Sequence, residues 1–190
     1  DHHILITSDG KLCSFDITTR ILETKAVLHS PLLITDEITA LVPLENTCMI
    51  GFRESGVKIL EYDSSTLTDT PIDYRILSME SDKRQPIIWI GTDCNGLIRW
   101  SDSATDISCV TFDDLPYSIM TPVRCIFLDR NSDLWFGTKG DGLFRIRDFS
   151  TESIFVRPNP DRFDTNNSAI VQNNIYSIER GSGDYFWIGG

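Results

Sequence analysis

Hydrophobic positions in this chain fall into short runs that recur with a long period. Leu134-Trp135-Phe136-Gly137-Thr138 is followed by Gly142-Leu143-Phe144-Arg145, and Ile88-Trp89-Ile90-Gly91-Thr92 by Gly96-Leu97-Ile98-Arg99 at the same spacing. Weaker copies read Met49-Ile50-Gly51-Phe52 with Gly56-Val57, and Leu5-Ile6-Thr7-Ser8 with Lys11-Leu12; a last one opens at Phe186-Trp187-Ile188-Gly189. With Thr7, Gly51, Gly91, Gly137 and Gly189 taken as equivalent, the intervals are 44, 40, 46 and 52 residues, a mean of about 45. A second run precedes each of the four glycines by 13 to 15 residues: Ile38-Thr39-Ala40-Leu41, Ile76-Leu77-Ser78-Met79, Val123-Arg124-Cys125-Ile126 and Ile175-Tyr176-Ser177-Ile178. Each unit therefore reads as strand, hairpin, strand, tight turn, strand. Asn95-Gly96 and Asp141-Gly142 supply turn residues that tolerate positive φ. A further β-rich stretch, such as residues 107–112 or 153–156, is read as a fourth strand. Residues 20–28 also fit an amphipathic helix, with Ile21, Leu22, Lys25 and Leu28 in line, but their place in the repeat is that of a fourth strand.

Alternation within the second strand decides how such units pack. Trp135 points to one face and Leu134 with Phe136 to the other, so both faces are apolar and both must be covered. Gly137 and Gly91 share a face with Trp135 and Trp89, and a glycine inside a strand marks a close approach by another group, here expected from the adjacent unit. Four short strands per unit of about 45 residues, sandwiched between neighbours, is the signature of an all-β fold, the β-propeller, with about four blades of four antiparallel strands. The expected units are residues 1–34, 35–72, 73–119, 120–169 and a partial 170–190. The second strand of a unit occurs at both ends, so the chain is expected to be part of a larger propeller. Its uncovered blade faces, such as that of Trp187, are then expected to meet the remaining blades of the same protein or a second copy in a homodimer.

The pattern L-W-x-G-T-x-x-x-G-L-x-R, preceded by V-x-x-I, resembles the two-component regulator propeller repeat. Residues 123–147 and 76–100 match it closely, residues 38–60 in part and residues 4–16 weakly. That resemblance implies the extracytoplasmic sensor region of a hybrid two-component regulator, in which propellers lie outside, one span crosses the inner membrane, and kinase and response-regulator modules lie inside. Many such proteins sense oligosaccharides. It thus implies a periplasmic, non-enzymatic ligand-binding segment, with oligosaccharide as ligand and no cofactor. Two alternatives come from other classes: a propeller enzyme acting on glycans, a glycosidase or lyase, and a scaffold for protein–protein contact.

Composition narrows the partners. The chain has 190 residues with 17 Lys and Arg against 28 Asp and Glu, a formal charge of −11. This argues against a nucleic-acid partner and against docking on anionic lipid. A hydrophobic fraction of 41% supplies a core, and no apolar run approaches the roughly 20 residues of a membrane span. No basic-then-apolar leader opens the chain, an absence of little weight in a piece of a longer protein.

Candidate chemistry is sparse. His2, His3 and His29 do not support a nucleophilic triad. Cys13, Cys48, Cys94, Cys109 and Cys125 form no C-x-x-C pair, so they read as small hydrophobes and not as zinc ligands. Asp129-Arg130-Asn131-Ser132-Asp133 opens like a calcium loop but lacks its later Gly and Glu, so a hairpin turn is the stronger reading, and no metal site is expected. Arg99 and Arg145 recur at one repeat position and are read as structural. The Trp89, Trp135 and Trp187 series reads as core packing in preference to sugar-stacking platforms. The V/I-x-x-I strand is expected to be innermost. Arg124 and Tyr176, large and polar where Thr39 and Leu77 stand in other units, are the candidate ligand-binding residues.

Overall fold

The computed structural model describes residues 3–8, 11–16, 18–27, 36–64, 66–101, 108–109, 121–147, 160–182 and 185–190, and among them every regular element is a strand. The chain forms two compact units, residues 1–76 and 77–190. In the first, β1 (His3–Ser8), β2 (Lys11–Asp16) and β3 (Leu22–Val27) make a three-stranded antiparallel sheet. β4 (Ile38–Pro43), β5 (Thr47–Phe52), β6 (Val57–Glu61) and β7 (Leu67–Asp69) make a four-stranded meander. The stretch with helical periodicity forms strand β3 over Leu22–Val27, because pairing with β2 satisfies its backbone; Leu28 lies outside the described residues. The turn before it is closed by Asp16, whose carboxylate accepts from Thr18 and Thr19 N–H, with Arg20 at φ 59°.

The second unit repeats one meander. β8 (Ile76–Asp82, opening at the last residue of the first unit), β9 (Ile87–Thr92), β10 (Leu97–Ser101) and β11 (Ser108–Cys109) form one sheet. β12 (Val123–Leu128), β13 (Leu134–Thr138), β14 (Leu143–Ile146) and β15 (Asp161–Phe163) form the next. β16 (Ser177–Arg180) pairs with β17 (Phe186–Gly189). The strand described next to β14 is Asp161–Phe163; the apolar run at 153–156 lies outside the described residues. Register explains the pairing: β15 sets Asp161 opposite Arg145 and Phe163 opposite Leu143, so an ion pair and an apolar contact hold it.

Both faces of the second strands are buried, as their alternation requires. All of β9 and β13 is buried, and so is β5 beyond its first residue. In the first unit Cys48, Ile50, Phe52 and Leu60 pack with Ile38, Leu41, Tyr62 and Leu67. In the second, Leu134 and Phe136 join Trp89, Leu97 and Val123, whereas Trp135 on the opposite face joins Leu143, Ile175 and Ile178. Burying one such side chain contributes roughly 1.5–3 kcal/mol, so sheet-on-sheet burial is the dominant stabilising term. Trp89 and Trp135 are 1% and 7% exposed. Trp187, on the blade face expected to be uncovered, is 74% exposed: no further sheet covers that face of β17 among the described residues.

The repeat motif is a lock at the second turn. Thr92 and Thr138 are fully buried. The Thr138 hydroxyl donates to Gly142 O (2.8 Å) and accepts from Asp141 N–H (3.1 Å). Thr92 does the same with Gly96 O (2.9 Å) and Asn95 N–H (2.9 Å). Gly142 holds φ 89°, and a Cβ there would run into the Phe163 carbonyl of the fourth strand. The glycine inside the second strand answers to the next sheet. A Cβ on Gly91 would sit 2.5 Å from Val123 O, and one on Gly137 2.5 Å from Ile175 Cγ2. The visitor from the neighbouring blade is thus its first strand, through backbone at Val123 and an aliphatic side chain at Ile175.

Candidate ligand site on the first strands

Two of the first strands carry an irregularity at their second residue. The ladder shifts between Ile38 and Ala40, and again between Val123 and Cys125. Thr39 and Arg124 occupy these bulges. A bulged residue leaves the ladder and is re-aimed away from the two sheet faces. Thr39 turns back on its own blade, its hydroxyl 3.2 Å from Gly51 O. Arg124 instead lays its guanidinium over the ring of Tyr176, 4.4 Å from the centroid. Tyr176 stands one residue before β16, anchored by its N–H on Gly189 O at 2.8 Å, with 54% of its surface exposed. The two candidates named from the sequence are thus in contact, although 52 residues apart along the chain. The Arg124 Nε is shielded from solvent yet has no hydrogen-bond partner among the described residues. An aromatic face and a stacked guanidinium can take a ligand that offers both an apolar face and acceptor oxygens.

The remaining sequence candidates have structural roles. The Asp129 carboxylate accepts from Asn131 N–H (2.8 Å), Asp133 N–H (2.9 Å) and the Trp135 indole N–H (3.0 Å), with Ser132 at φ 72°. It therefore closes a hairpin and seats a core ring, as an acceptor at a turn does. Arg145 lies 5.1 Å over Trp135 and pairs with Asp161 at 2.8 Å. Burial works against the Asp161 charge, but hydrogen bonds from Arg147 and Arg145, with their charges, hold its carboxyl below the ordinary range. Arg99 takes the equivalent place opposite Trp89; there burial lowers its pKa, and its Nε has no hydrogen-bond partner among the described residues. Cys13, Cys48, Cys94 and Cys125 are free thiols. Burial pushes Cys48 and Cys125 up to about 11, so neither is a nucleophile at neutral pH.

One polar feature escapes the motif-based reading. Glu80 and Glu179 stand four residues after Ile76 and Ile175, so they hold one repeat position, and both line a groove at the far ends of the first strands. Their shared place in the repeat is the signal by which the sequence could have shown them.

Residues 119–140, spanning β12 and β13, match the family model described as two component regulator propeller. No curated protein matches the chain. Among solved structures it is similar to the extracellular domain of BT3049 of B. thetaiotaomicron, described as a hybrid two-component system, at 18% identity and TM-score 0.73, covering 99% of this chain and 24% of that one. The extracellular domain of BT4673 of the same organism is similar at 17% identity and TM-score 0.71, covering 99% and 24%. PorZ, a surface component of the type-IX secretion system of Porphyromonas gingivalis, is similar at 16% identity and TM-score 0.64, covering 94% and 28%. These likenesses show the fold: the sheets are propeller blades. The chain spans about a quarter of the length of each of these structures.

Proposed function

We propose that the chain is a non-enzymatic ligand-binding segment of an extracytoplasmic sensor, periplasmic in location, and that its ligand is an oligosaccharide. One observation carries the reading: the Arg124 guanidinium stacked on the half-exposed Tyr176 ring at a first-strand bulge. A sugar ring has an apolar C–H face that suits the phenol, and hydroxyl oxygens that accept from guanidinium N–H groups. The pair is supported on two first strands whose faces are packed in the core, and a rigid support of that kind keeps the ordering cost of binding low. The similar structures from B. thetaiotaomicron, extracellular domains of proteins described as two-component systems, support the sensor reading.

A glycan library screened for both binding and turnover tests the proposal. The expected result is reversible binding of an oligosaccharide with no product formed, and loss of that binding in Arg124→Ala and Tyr176→Ala. Turnover of the bound glycan, or binding that survives both substitutions, refutes it.

A further inference from the structure

Beyond the Arg124–Tyr176 pair, a large polar concavity of the second unit lies at the other ends of the first strands. This groove of about 600 Å³ is lined by the last residues of β8, β12 and β16 and by the turns that follow β8 and β12. That volume is in the range of small-molecule sites. Its apolar lining includes Ile126, Leu128 and Ile178, of which Ile126 and Ile178 are core residues. Above them stand charges of both signs, and their commitments differ.

Asp82 and Arg84 are spent on each other and on the turn: Asp82 accepts from Arg84 N–H at 2.9 Å, their side chains pair at 3.7 Å, and Arg84 reaches the Ser132 hydroxyl. Asp129 is spent on its hairpin and on Trp135. Arg180 lies over the Phe127 ring at 5.8 Å. The others are unspent. The side chains of Glu80, Glu179, Lys83 and Arg130 make no hydrogen bond or ion pair among the described residues, although all four line one groove. Glu80 is half-buried; burial pushes its carboxyl above the ordinary range, Lys83 opposes this, and Glu179 adds to it. Glu179 adds its charge beside a carboxylate that burial has partly desolvated and that Lys83 offsets only in part, so a residual cost remains in the free protein. A cation between them removes that cost, and the anion that balances such a ligand meets Lys83 and Arg130.

We propose that this groove binds a small zwitterionic molecule, its ammonium held between Glu80 and Glu179 and its carboxylate or phosphate held by Lys83 and Arg130. This site is separate from the pair under Proposed function and does not depend on it. A lone anion would meet the two glutamates, and a lone amine would meet the lysine and arginine, so discrimination comes from requiring both charges on one compact scaffold.

Calorimetric titration with four probes of one scaffold tests it. Glucosamine 6-phosphate carries both charges, glucosamine only the amine, glucose 6-phosphate only the phosphate, and N-acetylglucosamine 6-phosphate has the amine capped. Glucosamine 6-phosphate is expected to bind at least about tenfold more tightly than each of the other three. Glu80→Gln and Glu179→Gln are each expected to remove about that tenfold advantage, and Lys83→Gln to bring affinity down to that of glucosamine. Glu80→Gln also relieves the repulsion, so its melting temperature at neutral pH stays equal to the parent's or rises, which separates lost binding from lost folding. No heat with glucosamine 6-phosphate, equal binding of the N-acetylated probe, or unchanged affinity in Glu80→Gln with a normal melt overturns the proposal.

Discussion

Replacing Trp135 by alanine probes how blade packing and the turn chemistry support one another. The indole is 7% exposed, stacks on Phe163 at 5.8 Å, and tilts against Phe186 at 5.0 Å. Its N–H reaches Asp129 at 3.0 Å, and the Arg145 guanidinium covers the ring at 5.1 Å. Truncation removes a packed ring from between two sheets, for which large aromatic deletions cost about 3–5 kcal/mol. Asp129 keeps its two backbone N–H donors, so no buried carboxylate is stranded, and the cost stays within that range. A second substitution separates the two contributions. Trp135→Phe keeps most of the apolar contact but loses the indole N–H bond to a carboxylate, a contribution of roughly 1.5–3 kcal/mol in itself. Urea unfolding followed by circular dichroism measures both variants. With a slope near 2 kcal/mol per molar for a domain of this size, the alanine midpoint falls by roughly 1.5–2.5 M. An alanine midpoint within about 0.3 M of the parent at unchanged slope would refute the packing argument, since it would mean that the ring lies outside the cooperative core.

Other consequences follow from the same contacts. Gly91→Ala places a methyl group 2.5 Å from the Val123 carbonyl, so thermal melting should show a loss of about 1–3 kcal/mol; an unchanged melt would mean that the two strands do not approach so closely. The Asp161 carboxyl has its pKa lowered in the fold, so its stabilisation is complete above the unfolded carboxylate pKa of about 3.9 and is lost as pH falls through the lower folded value. Asp161→Asn should therefore be less stable than the parent at neutral pH and converge with it at the acid end, measured by melts across pH. Among the described cysteines, exposed Cys94 should react first with a disulfide reagent at pH 7.5, while buried Cys48 and half-buried Cys125, both pushed up to about 11, should react far more slowly until unfolding; equal rates in the native state would contradict this. Tyr185, Trp187 and Ile188 are exposed together at β17, so light scattering should show self-association that Trp187→Lys reduces.

The features legible in the amino-acid sequence are local and repeated. The hairpin glycines, the buried threonine and the two-faced tryptophan strands can be read because each depends on neighbours within one unit, and two full copies make the spacing plain. Arg124 and Tyr176, which the fold brings into contact, stand out for the opposite reason: they break the pattern at a position where other units carry Thr39 and Leu77. Features set by partners far along the chain are not legible. The strand at Asp161–Phe163 is three residues long and is held by Arg145 and Leu143, distant in sequence, so no local pattern marks it. Trp187 shares its motif with Trp135, so its exposure is legible only from its place last in the repeat series and not from the motif. Glu80 and Glu179 meet in one groove from strands about a hundred residues apart, with no short-range signature between them.

The proposed site at Arg124 and Tyr176 and the second-strand tryptophans make separable demands on the protein, ligand affinity and stability, and one paired measurement separates the two. Calorimetric affinity for the bound oligosaccharide and the urea midpoint are determined for Tyr176→Ala and Trp135→Phe side by side. Tyr176→Ala is predicted to lose at least about tenfold in affinity with its midpoint unchanged, whereas Trp135→Phe lowers the midpoint and leaves the affinity of the remaining folded protein intact. Full affinity in Tyr176→Ala, with affinity lost instead in a folded Trp135→Phe, would contradict this division of roles.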